Sequence, residues 1–220
     1  MKSKLQFLRW LMLLMLSLSA LETWAQKPYP NEGNQTVCIT GEAEPYGVIN
    51  TIGSTYAWSV IGGTASTDWV LTSTNTNLAT VLWKSAGIYT VQVIETNSAG
   101  CALPNPVTVQ VTVNPMPTAT ITGTTAVCQN GTAPVVTFTG AGGTAPYTFT
   151  YTINGGANQT VTTSTGNSVT VTVPTTAAGT FTYALVSVQD ASATACSQAQ
   201  TGSAVVTVDP LPNTSPIYHN

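Results

Sequence analysis

Charge is what this chain most lacks. Only 6% of its 220 residues are Asp, Glu, Lys or Arg, against about 25% in ordinary soluble domains. No Arg follows Arg9, and beyond residue 25 the only basic side chains are Lys27 and Lys84. A nucleic-acid-binding surface needs clustered cations to displace counterions from phosphates, so that class is excluded. Histidine is almost absent too. His219, next to the last residue, is the only one, and carboxylates in pairs are scarce. General acid–base catalysis uses such groups, so the chain reads as a non-enzyme with no cofactor. Glu42 and Glu44 stand two apart and would share one face of a strand. Calcium needs more oxygen ligands than two carboxylates supply, so they read as solvated acids, and no metal site is expected.

Long apolar runs are missing after the N-terminus. The start itself has Lys2, Lys4 and Arg9, then an apolar run from Trp10 to Ala20, then Thr23-Trp24-Ala25 before Gln26. A basic start, a short apolar core and small residues make a secretory signal peptide. The run is too short to cross about 30 Å of hydrocarbon. The expected leader is 1–25, which leaves a mature chain carrying Lys27, Lys84 and seven acids, a net charge of −5. Export makes the four cysteines, Cys38, Cys101, Cys128 and Cys196, a candidate disulfide framework, since disulfides form in oxidising compartments.

The rest of the chain is a tandem repeat. Val37-Cys38 recurs as Val127-Cys128, and Cys101 recurs as Cys196. Val111-Thr-Val-Asn-Pro-Met-Pro117 recurs as Val206-Thr-Val-Asp-Pro-Leu-Pro212. Four cysteines allow three connectivities. If each unit closes on itself, the simplest of these is Cys38–Cys101 with Cys128–Cys196. Both units alternate apolar and polar residues, as in Val107-Thr-Val-Gln-Val-Thr-Val113 and Ser168-Val-Thr-Val-Thr-Val173, the period of half-buried antiparallel strands. Thr supplies about one mature residue in five, suited to the wet face of such strands. The expected fold is all-β: two tandem immunoglobulin-like sandwiches of about seven strands each. They occupy 26–114 and 115–212, with an extended tail at 213–220. Trp58 and Trp83 read as core residues. Trp69, after Ser66-Thr67-Asp68, reads as a loop residue, and an exposed loop Trp could stack on a glycan.

Several of these segments carry a family resemblance. Tyr56-Ala-Trp-Ser-Val-Ile-Gly-Gly-Thr64, Gly87-Ile-Tyr-Thr-Val91, Asn97-Ser-Ala-Gly-Cys101 and the Pro-x-Pro linker resemble the PKD-like, immunoglobulin-like repeats of Bacteroidota surface proteins. Cys128-Gln-Asn-Gly-Thr-Ala-Pro134 and Thr144-Ala-Pro-Tyr-Thr-Phe-Thr-Tyr151 resemble the same group more distantly. The acidic motif that follows Trp in ordinary PKD domains is missing, since Ser59 and Val60 follow Trp58. The resemblance implies an exported adaptor or adhesion protein of gliding motility or type IX secretion. Its setting would be the cell surface or the outer membrane, on either face, with the periplasm included. Its partner would be an outer-membrane barrel of the PorP/SprF-like group or a large surface adhesin. A carbohydrate-binding module is the alternative.

The tail stands where a further unit would begin. Pro216, Ile217, Tyr218, His219 and Asn220 are the candidate partner-binding residues, because an extended peptide can add to a sheet edge. The two Pro of Asn114-Pro-Met-Pro117 fix extended backbone, which predicts an elongated monomer. Small-angle scattering should give a radius of gyration well above the roughly 16 Å of a globular chain of this length, and a value near that figure would contradict the rod.

Overall fold

The computed structural model describes residues 33–73, 76–217 and 219. The expected leader, Tyr218 and Asn220 lie outside the described residues. Sixteen strands and no helix are found among the described residues. In order they are β1 (Gln35–Cys38), β2 (Ala43–Gly47), β3 (Thr55–Ile61), β4 (Trp69–Ser73), β5 (Leu78–Trp83), β6 (Gly87–Thr96) and β7 (Val107–Asn114), followed by β8 (Thr118–Thr122), β9 (Thr125–Cys128), β10 (Val135–Ala141), β11 (Thr148–Ile153), β12 (Gln159–Thr162), β13 (Ser168–Thr172), β14 (Gly179–Gln189), β15 (Ser197–Ala199) and β16 (Ser203–Asp209).

Strands β1–β7 form two sheets, ordered β1-β7-β6-β3 and β2-β5-β4. Strands β8–β16 form two more, ordered β13-β10-β8 and β12-β11-β14-β16-β9, with β15 on β14. Each pair of sheets is an immunoglobulin-like Greek key, so the chain is two such sandwiches in tandem. The Val/Thr alternation does what its period requires. In β5, Ala79, Val81 and Trp83 point inward, and in β7, Val111 and Val113 do. Val107 belongs to the same face but is 53% exposed, because it lies at the sandwich end.

The first core gathers Tyr46, Val81, Trp83, Tyr89, Val91, Val111 and Val113. The second is built on Phe138, Tyr147, Phe149, Tyr151, Tyr183 and the valines around them. Its rings stack in series, with Phe138 4.9 Å from Tyr151 and 5.7 Å from Phe149. Aromatic pairs of this kind add about 0.5–1.5 kcal/mol each beyond area burial.

The second sandwich has nine strands among the described residues rather than the expected seven or so. One reason is Gly123, whose φ of 119° few other residues adopt. A Cβ there would stand 2.5 Å from Val135 O. The chain bends at this point and changes sheets. Before it, β8 runs antiparallel to β10. After it, β9 runs parallel to β16. The first sandwich repeats the second half of this device, with β1 parallel to β7.

Burial gives Tyr46 its chemistry. Trp83 Nε1 donates to Tyr46 Oη at 3.2 Å inside the first core. Burial pushes the Tyr46 hydroxyl up to about 12, the Trp83 bond opposes the rise and the charge of Glu44 adds to it. The folded state therefore holds the Tyr46 proton more tightly than the unfolded chain does. Its stabilising share is full below about pH 10 and is lost as pH climbs toward 12. At pH 8, Tyr46→Phe should lower the melting temperature, because it leaves the indole N–H buried without an acceptor at a cost of about 1–3 kcal/mol. Between pH 8 and 11 the gap to wild type should narrow. A gap that widens over that range would contradict the assignment.

Candidate functional site

Strand polarity decides where the cysteines go. Cys38 ends β1 beside Asn114, the last residue of β7. β6 runs antiparallel to β7, so the β6–β7 loop that carries Cys101 lies at the start of β7. Seven residue steps separate Val107 from Asn114, roughly 23 Å at about 3.3 Å per residue. A disulfide spans only about 4.4–6.8 Å between Cα atoms. The second sandwich repeats the arrangement. Cys128 sits beside Asp209 at the end of β16, whereas Cys196 lies just before Ser197, opposite Gln189 at the far end of β14. The expected pairs Cys38–Cys101 and Cys128–Cys196 are therefore wrong, because each would have to run the length of a sandwich.

The bridge joins Cys38 to Cys196 instead, with Cα atoms 5.7 Å apart. Cys38 faces the end of the first sandwich where the chain leaves it, and Cys196 faces the end of the second where the chain enters. The disulfide spans 158 positions, and loop-closure entropy for such a loop is worth about 5 kcal/mol. Cys101 and Cys128 are free and exposed.

Hydrogen bonds surround the bridge. Asn114 Nδ2 donates to Thr194 Oγ1 at 3.2 Å, and that hydroxyl lies 3.2 Å from Cys38 Sγ and 3.3 Å from Cys196 Sγ. The linker is held from the second sandwich. Gln198 Nε2 donates to Pro117 O at 2.6 Å, and Ala119 N donates to Gln200 Oε1 at 3.0 Å. Pro117 is buried and Met116 half-buried. Sequence reasoning missed Gln198 and Gln200. Their spacing of two was the available signal, since it puts both on one face of β15 and the segment after it.

Trp69 is not a loop residue. It opens β4 opposite Trp83, packs half-buried on the first core, and its Nε1 donates to Gly62 O at 2.8 Å. The turn before it is closed by Asp68, whose carboxylate accepts Thr64 N at 2.7 Å. That bond and the Ser85 hydroxyl hold Asp68 below the usual carboxylate range. Trp83 is buried and Trp58 packs half-buried against the same core, both as expected. A groove of about 630 Å³ in the first sandwich is lined by Tyr46, Trp58, Val91, Val93 and Glu95 among others. Among the described residues, no three His, Cys, Asp or Glu side chains gather as metal ligands, and no helix is long and apolar enough to cross a membrane. In the tail, Pro216 and His219 are exposed and Ile217 is 99% exposed. Tyr218 and Asn220 are outside the described residues.

No family model matches the chain, and no curated protein matches it. Among solved structures, it is similar to fibronectin(III)-like modules of CbhA from Clostridium thermocellum, at 11% identity over 87% of this chain and 98% of that one, with a TM-score of 0.38. It is also similar to a three-Ig segment of titin, at 11% identity over 82% and 63% of the two chains, with a TM-score of 0.44. A third is a 1.5-MDa bacterial ice-binding adhesin, at 18% identity over 80% and 61%, with a TM-score of 0.38. Likenesses this distant carry no argument about function.

The linker contacts make a prediction. In the Gln198→Ala/Gln200→Ala variant with the disulfide intact, both sandwiches should stay folded while the Ala119 amide exchanges with solvent about 5-fold faster, the loss of one hydrogen bond of about 1 kcal/mol. Unchanged exchange at Ala119 would show that the linker is held by something else.

Proposed function

We propose that this chain is a non-enzymatic spacer and adhesion module of an exported surface protein. The observation that carries the reading is the Cys38–Cys196 bridge between the sandwiches. A hinge needs a free linker. Here the linker is hydrogen-bonded along its length and its two sides are covalently joined, which suits a part that holds one end at a fixed distance from the other. A disulfide of this kind forms in an oxidising compartment, which supports export.

The setting we propose is the one implied by the sequence resemblance: gliding motility or type IX secretion, at the outer membrane or cell surface. The docking element is the tail. Ile217 is a fully exposed apolar side chain at the end of a segment that Pro210, Pro212 and Pro216 keep extended. An extended strand with free backbone groups can add to a sheet edge or enter a barrel, and an outer-membrane barrel offers both. The glycan reading gains no support, because Trp69 lies against the core with its N–H already bonded.

Removal of residues 213–220 tests the docking. The truncated protein should keep its melting temperature and lose co-purification with an outer-membrane partner from native envelopes. Co-purification at the wild-type level would leave the tail without a docking role.

A further inference from the structure

The two free cysteines occupy the same positions as the two that are joined. Cys128 stands to β9 and β16 as Cys38 stands to β1 and β7. Each is the last residue of a strand parallel to the final strand of its sandwich, beside Asp209 and Asn114 respectively. The next residue bonds back in the same way, with Ile39 N donating to Asn114 O at 3.1 Å and Gln129 N to Asp209 O at 2.8 Å.

Cys101 matches Cys196 in its local backbone, in a loop closed by Thr96 and Ala102 that is two residues shorter than the one closed by Gln189 and Ser197. Gly100 and Ala195, the residues before them, both have left-handed backbone, with φ of 82° and 49°. Gly100 N donates to Asn97 O at 2.9 Å, and Ala195 N to Ser192 O at 2.8 Å. Cys101 N donates to the Asn97 side chain at 2.9 Å, as Cys196 N does to Ser192 Oγ at 3.4 Å. The protein thus presents a Cys38-type end at Cys128 and a Cys196-type end at Cys101, on opposite poles.

Both poles also carry exposed apolar surface, and at the Cys128 pole it is the counterpart of surface that the internal junction covers. Met116 and Pro117 are half-buried and buried there, but their counterparts Leu211 and Pro212 are exposed, Leu211 by 53%. At the Cys101 pole, Ile49, Ile52 and Leu103 are 80%, 96% and 41% exposed. The loop bearing the two isoleucines is held in shape by Tyr56, whose hydroxyl accepts Thr51 N at 2.7 Å. It lies against the Cys101 loop, where a Cβ on Gly53 would stand 3.2 Å from Ser98 Cβ. In the second sandwich the corresponding loop meets the linker, with Gly142 facing Met116 O.

We infer that copies of this chain join head to tail through a disulfide between Cys128 of one copy and Cys101 of the next, repeating the internal junction. The partner is a second copy because the Cys128 pole repeats the backbone setting of Cys38 and the Cys101 pole that of Cys196, with Ala99, Leu103 and Asn105 standing where Thr194, Gln198 and Gln200 bond the internal junction. Bond formation removes two protons and two electrons from the two thiols. A protein disulfide oxidant takes up the electrons and leaves as its dithiol. In steps, the Cys128 thiolate attacks one oxidant sulfur and expels the other as a thiolate. The Cys101 thiolate of the next copy then attacks Cys128 Sγ and releases the remaining oxidant sulfur.

Oxidised glutathione, which is reduced to two glutathione molecules per bond formed, serves as the oxidant in the test. The full-length mature protein is treated with it, resolved on a non-reducing gel and mapped by mass spectrometry. The expected result is a ladder of dimers, trimers and longer species that collapses on reduction, with Cys101–Cys128 as its only intermolecular link. Cys101→Ser and Cys128→Ser should each abolish the ladder, and a mixture of the two variants should stop at dimers. Both residues are exposed, and circular dichroism of the variants checks that they fold. Monomers that keep both thiols or cap them with glutathione would overturn the inference. So would Cys101–Cys101 or Cys128–Cys128 dimers, or a Cys101–Cys128 bond within one copy.

Discussion

Parallel pairing at the edge of each sandwich is the constraint on which the rest depends. β1 lies parallel to β7, and β9 parallel to β16, so the cysteine that ends the early strand is carried to the pole where the chain leaves. The antiparallel return of the preceding strand carries the loop cysteine to the other pole. Within a unit the two sulfurs are a strand length apart and cannot meet. Between units they are brought face to face. The same pairing that completes each sheet therefore turns a cysteine pair that looks internal to the fold into a coupling between folds.

That coupling gives the molecule its mechanical character. Two cores with no shared strand ladder would swing freely on a solvated linker. Here Pro fixes part of the backbone, Gln198 and Gln200 fix more, and the bridge closes the loop covalently. The bonds from Asn114 and Thr194 set the polar side of the contact around the sulfur atoms. The Asp190 carboxylate is buried beside this junction and accepts from Ser192 Oγ at 2.7 Å, and that hydroxyl in turn lies 3.6 Å from Cys196 Sγ.

Much of the fold was legible because its signals are local. Alternating Val and Thr in β7 and β13 mark strands, the duplicated Val-Cys and Pro-x-Pro segments mark two units, and Trp58 and Trp83 mark a core. What failed was non-local. The repeat shows that Cys38 and Cys128 are equivalent, but nothing in it says which pole they occupy, since that depends on whether β1 pairs parallel or antiparallel. Trp69 was misplaced by one residue's worth of boundary: Ser66-Thr67-Asp68 is a turn, and the strand starts immediately after it. Gln198 and Gln200 offered only their spacing of two, a signal that any wet strand face shares. Gly123 carried a signal that was not used, a glycine between two short strands where the chain changes sheets.

The bridge across the junction can be tested with one cut. The chain has four methionines, Met1, Met12, Met15 and Met116, so cyanogen bromide, which cleaves after methionine, severs it in the linker between the sandwiches. With free thiols of the monomer first blocked by iodoacetamide, the cleavage is run under denaturing, non-reducing conditions. The two halves should stay joined, with the blocking groups on Cys101 and Cys128, and separate only on reduction. Halves that part without reductant would contradict the account.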